Sequence, residues 1–212
     1  VFTLKWNSAL ASKLYHKWLI NYYSPMEKLM EHDVDLTNKI VLDYGCGTGN
    51  DLFRLMVINK VKRVIGIDVS HKALDIARSR LMVHGIDQKR CEFLYISDST
   101  TSLPLANNSV DFVNCAGVLM HVSHPKKLLK EFYRVLKKGG SGSIMVYNYE
   151  SIHLHLYVAY FQMILKGKYK GLSVKNAFSK TTDGEDCPIA RCYKPKEFIA
   201  LCESFFPLLL CI

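Results

Sequence analysis

The chain of 212 residues lacks several signatures that would settle its chemistry at once. Its seven cysteines (46, 91, 115, 187, 192, 202 and 211) are scattered, odd in number, and form no C-x-x-C pair. A zinc ribbon or a disulfide framework is therefore not expected, and reduced cytosolic thiols are. No metal is called for. No glycine cluster is followed by Lys-Ser/Thr, so a phosphate-binding P-loop is excluded. No apolar run is long enough to span a bilayer and no signal peptide is recognisable, so a cytoplasmic protein with no membrane partner is expected. Position 1 is Val, and a processed or incomplete chain is expected from it. Carboxylates are in deficit: 19 Asp and Glu against 28 Lys and Arg give a net charge of +9. That balance permits an anionic partner without requiring one. Internal repeats and low-complexity segments are also missing. What remains is an ordinary globular balance, 49% hydrophobic and 22% charged, at a length that fits one domain with a sizeable core.

The most informative stretch is VLDYGCGTGND at residues 41–51. Apolar residues and Asp43 run into glycines at alternating positions, Gly45, Gly47 and Gly49. Leu52, Leu55 and Met56 follow at helical spacing. The pattern predicts a strand, a tight glycine turn and a helix. Glycines let the backbone turn sharply and let a ligand lie against bare main chain, and a helix N-terminus offers free N–H groups. A dinucleotide fingerprint would need its third glycine at position 50, which is Asn50.

The rest of the chain alternates between strand and helix patterns. Residues 61–69 are β-branched and carry Asp68, 19 residues beyond Gly49, where one carboxylate can accept from both hydroxyls of a ribose. Ser70 is the expected cap of the helix that follows. Residues 91–96 and 110–115 read as the third and fourth strands. Residues 123–138 read as the clearest helix, capped by Ser123, stopped by Gly139 and Gly140, with its lysines on a solvated face. Residues 143–147 read as the fifth strand and residues 205–212 as a sixth. The alternation predicts an α/β fold: a doubly wound, Rossmann-like, mostly parallel sheet with helices on both faces. The expected organisation is a single domain over 1–212. Residues 1–38 form an aromatic N-terminal helical lid, with a helix from Pro25 through Glu31. Residues 39–147 form the cofactor-binding core, 148–193 a substrate-side insertion, and 194–212 a C-terminal helix and strand, with an incomplete strand pair expected.

Several of these motifs together resemble class I S-adenosylmethionine (SAM)-dependent methyltransferases, in the small-molecule-type branch with a methyltransferase-11-like domain. The pattern Asp-x-Gly-x-Gly-x-Gly from Asp43 resembles their first motif. Residues 64–68 resemble the second strand with its ribose-binding acid. Ser97-Asp98-Ser99 with Leu103-Pro104 is similar to the segment that holds adenine, with Asp98 near the exocyclic amine. Residues 110–121 resemble the fourth strand and its crevice, and residues 132–140 the helix and turn before the fifth strand. The likeness covers about residues 40–147. It implies SAM as cofactor, with S-adenosylhomocysteine as product. The implied cofactor-binding set is Asp43, Gly45, Cys46, Gly47, Gly49, Asp68, Val69, Asp98, Ser99 and Ala116, with Tyr22 from the lid. Met120 stands where many relatives have the first of two histidines, leaving His121. The family's seventh strand has no residues here, so either the C-terminus is truncated or another element completes the sheet.

Methyl transfer from a sulfonium is an in-line displacement that needs positioning and desolvation above all. A base is needed only where the nucleophile must lose a proton. His121 is the candidate base and Tyr193 its companion, with Tyr147 and Asn148 as pocket-lining candidates. The expected partner is a small-molecule acceptor, with no nucleic acid. Asp183, Glu185 and Asp186 would suit a cationic one. Alternatives from other classes are a SAM-binding module without catalysis, a metalloid methyltransferase working through Cys187 and Cys192, and a nucleic-acid methyltransferase. An Asn/Asp-Pro-Pro-aromatic motif after the fourth strand would mark the last of these, but Asn114-Cys115-Ala116-Gly117 stands there. The acceptor atom and the oligomeric state are left open.

Overall fold

The structure is a computed structural model that describes residues 8–22, 34–184 and 187–206. The chain divides into two compact units: residues up to Ala116 with Arg134–Ser143, and Gly117–Tyr133 with Ile144 onward.

In the first unit, helix α1 (Ala9–Tyr22) precedes strand β1 (Ile40–Tyr44). After the glycine turn comes α2 (Asn50–Phe53), which continues as a π-helical turn over Arg54–Ile58. Then follow β2 (Arg63–Asp68), α3 (His71–Val83), β3 (Cys91–Tyr95) and β4 (Val110–Ala116). The sheet is completed by β5 (Leu136–Met145), in the order β3-β2-β1-β4-β5. The pairs β1–β2, β1–β4 and β2–β3 are parallel. Strand order therefore reverses between β1 and β4, which is where open α/β sheets bind their ligands, beyond the strands' carboxyl ends. Val41 and Val64 from the strands and Leu52, Leu55 and Met56 from the predicted helix face are buried with Leu74, Ala77 and Leu81 of α3 in one core. Ser70 caps α3 as expected, its Oγ accepting from the Ala73 N–H at 3.2 Å.

Three boundaries differ from the sequence reading. Helix α4 (Pro125–Val135) ends before the expected Lys138, and β5 begins at Leu136 rather than 143. The cause is non-local: the Arg134 and Val135 carbonyls accept from the N–H groups of Asn108 and Ser109, at 3.0 and 2.8 Å, so those residues already feed the strand. Gly139 and Gly140 lie inside β5. At Gly142 a side chain would meet the Val113 carbonyl of β4 at 2.9 Å, so the close approach of the strands requires glycine. At the other end, the His124 carbonyl accepts from Leu128, so His124 rather than Ser123 holds the cap position of α4.

In the second unit, β6 (Tyr147–Asn148) and β7 (Cys192–Tyr193) form a small parallel pair. Between them lie a π-helix, α5 (His153–Leu165), and α6 (Val174–Thr182); α7 (Pro195–Glu203) follows. Leu154, Val158, Ala177, Phe178 and Cys192 form this unit's core. The predicted sixth strand is not formed at Phe205 and Phe206, whose N–H groups both bond to the Cys202 carbonyl at 2.9 Å in a helix-terminal turn. The rest of that segment, the expected helix from Pro25 through Glu31, and Glu185 and Asp186 lie outside the described residues.

Candidate active site

The glycine turn is built as its spacing predicts. Gly45, Gly47 and Gly49 have φ of 76°, 52° and 78°, a region that side-chain-bearing residues rarely adopt. The N–H groups of Gly45 and Cys46 donate to the Ile67 carbonyl at 2.7 and 3.0 Å, fastening the turn to β2. Asp68, at the end of β2, fastens it again: its Oδ2 accepts from the Gly47 N–H at 2.8 Å and its Oδ1 from the Ser70 N–H at 2.9 Å. Each of these oxygens keeps a second lone pair for a hydroxyl. Val69 is exposed beside it. Asp98 and Ser99 are exposed after β3, where the Ser97 and Ser99 hydroxyls lie 2.9 Å apart. Ala116 is half-buried at the end of β4. The Cys46 thiol is buried and held protonated by burial, against the space left by Gly66.

Asp43 departs from the simple expectation of an ionised carboxylate. It is buried at the carboxyl end of β1, and one oxygen accepts from the Asn114 amide at 2.8 Å. Its other oxygen is buried without a partner. Burial first, then the nearby Asp51 carboxylate, pushes its pKa up to about 8. A cation arriving there would pair with that bare oxygen and hold the carboxyl ionised. The turn's open backbone and this orphaned oxygen fit the amino end of SAM.

Sequence reasoning missed the polar groups around this turn. Asn114 reaches Asp43, and lies 3.4 Å from Asp51. Asn50, read only as the residue that breaks the dinucleotide fingerprint, sits between Arg80 and His16, 3.3 Å from each. Arg80 is fully buried and donates through Nε to the Ser12 hydroxyl of α1 at 2.8 Å. Thus α1 is tied to the start of α2 by polar contacts, while Trp18 stands exposed. A lone asparagine in the apolar strand VDFVNCA was the one available signal. Tyr22 ends α1, and its side chain lies outside the described residues.

The second unit holds His121. Its Nδ1 lies 2.7 Å from the Ile189 carbonyl, so Nδ1 is the donor in that contact. Nε2 lies 3.8 Å from an oxygen of Asp183, which in turn accepts from the Tyr147 hydroxyl at 2.7 Å. Burial, then that bond, pushes the Tyr147 phenol far up, so it stays a donor. The ring of Tyr147 meets that of His121 edge to face at 6.0 Å. Cys187 also approaches, its thiol donating to the Ile189 carbonyl at 3.4 Å. A nitrogen of His121, the Cys187 sulfur and an Asp183 oxygen lie within 4.8 Å of one another. The thiol meets the Nδ1 edge and the carboxylate the Nε2 edge, so the two brace the ring from opposite sides. Tyr193 falls elsewhere. Tyr147 pairs in register with Cys192, so Tyr193 faces the opposite side of the small sheet, where it packs against Phe198. Burial pushes the Cys192 thiol up to about 11, which disfavours thiolate chemistry at that position.

The parallel sheet with its switch point, the glycine turn and the acid at the tip of β2 define a class I SAM-dependent methyltransferase. Residues 35–171 match the methyltransferase domain family, and the chain belongs to it. SAM is the cofactor of this family. The chain is 29% identical over 192 residues to the demethylmenaquinone methyltransferase of Lactococcus lactis, covering 88% of this chain and 72% of that protein. It is 34% identical over 112 residues to a tRNA U34 carboxymethyltransferase of Sulfurovum, covering 53% of this chain and 35% of the relative. The crystal structure of YcgJ from Bacillus subtilis superposes with a TM-score of 0.58 at 19% identity, over 86% of this chain and 67% of the other, a likeness of fold.

Proposed function

We propose that the protein transfers a methyl group from SAM to a small acceptor that must lose a proton from oxygen or carbon, and that His121 takes that proton. The observation that carries this reading is the chain of contacts Tyr147–Asp183–His121, with Nδ1 held by the Ile189 carbonyl. On this reading Nδ1 gives its hydrogen to the Ile189 carbonyl, Nε2 takes the acceptor's proton, and the Asp183 carboxylate beside Nε2 stabilises the imidazolium that results. SAM, when bound, supplies a methyl group already activated on a sulfonium. The bare backbone of the turn at Gly45, Cys46, Gly47 and Gly49 would lie against it, with Asp68 on its ribose and Asp43 on its amino group. Val69, Asp98, Ser99 and Ala116 would line the adenine side, with Tyr22 from α1. Asp183 is thereby assigned to His121 rather than to a cationic acceptor, and Tyr193 to packing or the pocket wall. On this reading residues 1–212 work as one methyltransferase domain.

The match to a demethylmenaquinone methyltransferase over most of the chain favours an acceptor of phenolic or quinol type. A tRNA acceptor is the second reading, supported by the shorter match. The test is methyl transfer from labelled SAM to a panel of reduced quinones, phenols and tRNA. His121→Gln should lower kcat by roughly 10²–10⁴-fold while leaving SAM affinity, read by calorimetry, unchanged. Wild-type turnover persisting in that variant would remove His121 from the chemistry. SAM binding with no acceptor methylated would favour a binding module.

A further inference from the structure

Helix α5 carries apolar side chains on every side. Leu154 and Val158 lie in the core of the second unit, and Gln162, four residues on, is buried in the same row. The opposite rows are as apolar as the buried one, and they face outward. Ile152, just before the helix, is 78% exposed, Leu156 59% and Ile164 70%. Tyr157, Tyr160 and Phe161 stand among them, and Leu165 extends the row. Ile152, His153, Leu156, Tyr157, Tyr160 and Phe161 line an open groove of about 740 Å³. A helix hydrophobic all round is normally covered on both faces, and an exposed patch of this kind marks an interaction surface.

The charge around the patch names the partner. Between Ser151 and Thr182 the chain carries Lys166, Lys168, Lys170, Lys175 and Lys180 and not one carboxylate. Lys166, Lys168 and Lys170 form the exposed tip immediately after the helix, and the Lys166 ammonium lies 4.6 Å from the centre of the Phe161 ring. Aliphatic side chains flanked by tyrosines, with ammonium groups at one end, match the apolar interior, headgroup level and negative surface of a bilayer. We propose that α5 docks the protein onto an anionic lipid surface, with Leu156, Tyr160 and Ile164 inserted at the acyl boundary and the 166–170 lysines on the headgroups. The expectation of no membrane partner came from the lack of a spanning run. A helix lying in the surface plane needs none. The inference stands apart from the acceptor assignment, because vesicle binding is measured without substrate.

The experiment is co-sedimentation of the full chain with vesicles of phosphatidylcholine alone and of phosphatidylcholine with phosphatidylglycerol. Binding is expected to the anionic vesicles, to weaken as salt rises, and to be slight on the neutral ones. Leu156→Glu with Ile164→Glu should weaken it by about tenfold or more. Both positions are exposed, so circular dichroism and the SAM-induced shift in melting temperature should stay as in the wild type. Lys166→Glu with Lys168→Glu should remove the preference for anionic lipid. A tryptophan at position 160 (Tyr160→Trp) should shift its emission to the blue on vesicles. Equal sedimentation of the Leu156/Ile164 variant, or no binding by the wild type, overturns the proposal. So does self-association of the wild type that this variant abolishes, which would assign the face to a second copy.

Discussion

At the residue scale, Asp43 shows what a pattern can and cannot reveal. The motif named the residue, but its protonation follows from burial first and the Asp51 carboxylate second, against the opposing hydrogen bond from Asn114, and the pattern encodes none of these strengths. Asp51 comes from the start of α2 just beyond the turn, and Asn114 is close only once β4 lies beside β1, where it pairs in register with Asp43. The carboxyl's native pKa of about 8 lies far above its unfolded value of 3.8. Between those values the native state keeps a proton that the unfolded chain has lost. Unfolding then releases it, so the ligand-free protein loses stability as pH rises from about 4 to about 8, by at most about 1.4 kcal/mol per pH unit. Below that window the group contributes nothing to the slope, and above it the loss is complete. Thermal melts across the window should show the decline, and Asp43→Asn should flatten it. Because a bound ammonium favours the ionised carboxyl, the rise in melting temperature given by SAM should be larger at pH 8 than at pH 6. An unchanged slope in the Asn variant would show that another group titrates.

At the element scale, the strand–turn–helix unit was legible because glycine spacing reports backbone conformation directly. All three predicted glycines have positive φ. The boundary between α4 and β5 was not legible. Leu136, Lys137 and Lys138 continue a good helical pattern, and they leave the helix because Asn108 and Ser109, far back in the chain, take the Arg134 and Val135 carbonyls. Non-local hydrogen bonds of this sort leave no trace in local periodicity. The turn permits a paired measurement. Gly47→Ala meets no atom within 4 Å, so it carries only the cost of a left-handed backbone, about 1–2 kcal/mol. At Gly49 an added Cβ also lies 2.9 Å from the Ala77 Cβ and 3.0 Å from its Cα, on the rigid backbone of α3. Gly49→Ala should therefore destabilise by about 2–4 kcal/mol in urea unfolding, clearly more than Gly47→Ala. Equal losses at the two sites would mean that helix α3 yields, and that turn-to-helix packing is softer than the contacts indicate.

At the scale of the whole molecule, the fold class and the succession of strands along the chain were readable from the alternating pattern, and the cofactor from the resemblance of the motifs, whereas the spatial order β3-β2-β1-β4-β5 was not read from the sequence. The polar network between α1, Asn50 and Arg80 was not, nor was the bracing of His121, because each joins residues distant in sequence. Net charge was readable as a number and silent as to place. The structure sets part of the +9 excess beside an apolar helix face, where a lipid surface would use both features and a nucleic acid only one. That difference decides what tRNA should do. Lysines at 166, 168 and 170 can neutralise phosphates, so some tRNA binding is expected at low salt. It should be of the counterion-release kind, falling by about tenfold or more between roughly 50 and 200 mM salt. Binding of that kind orients no base toward a methyl donor, so label from SAM should not enter tRNA. Because the same lysines would meet lipid headgroups, anionic vesicles should displace bound tRNA, whereas neutral vesicles should not. Lys166→Glu with Lys168→Glu should weaken both partners together, while Leu156→Glu with Ile164→Glu should weaken only the lipid. Filter binding and label incorporation measure each quantity directly. Label appearing in tRNA, with binding that persists at high salt, would reverse the order of the two acceptor readings and make the basic tip part of an RNA site.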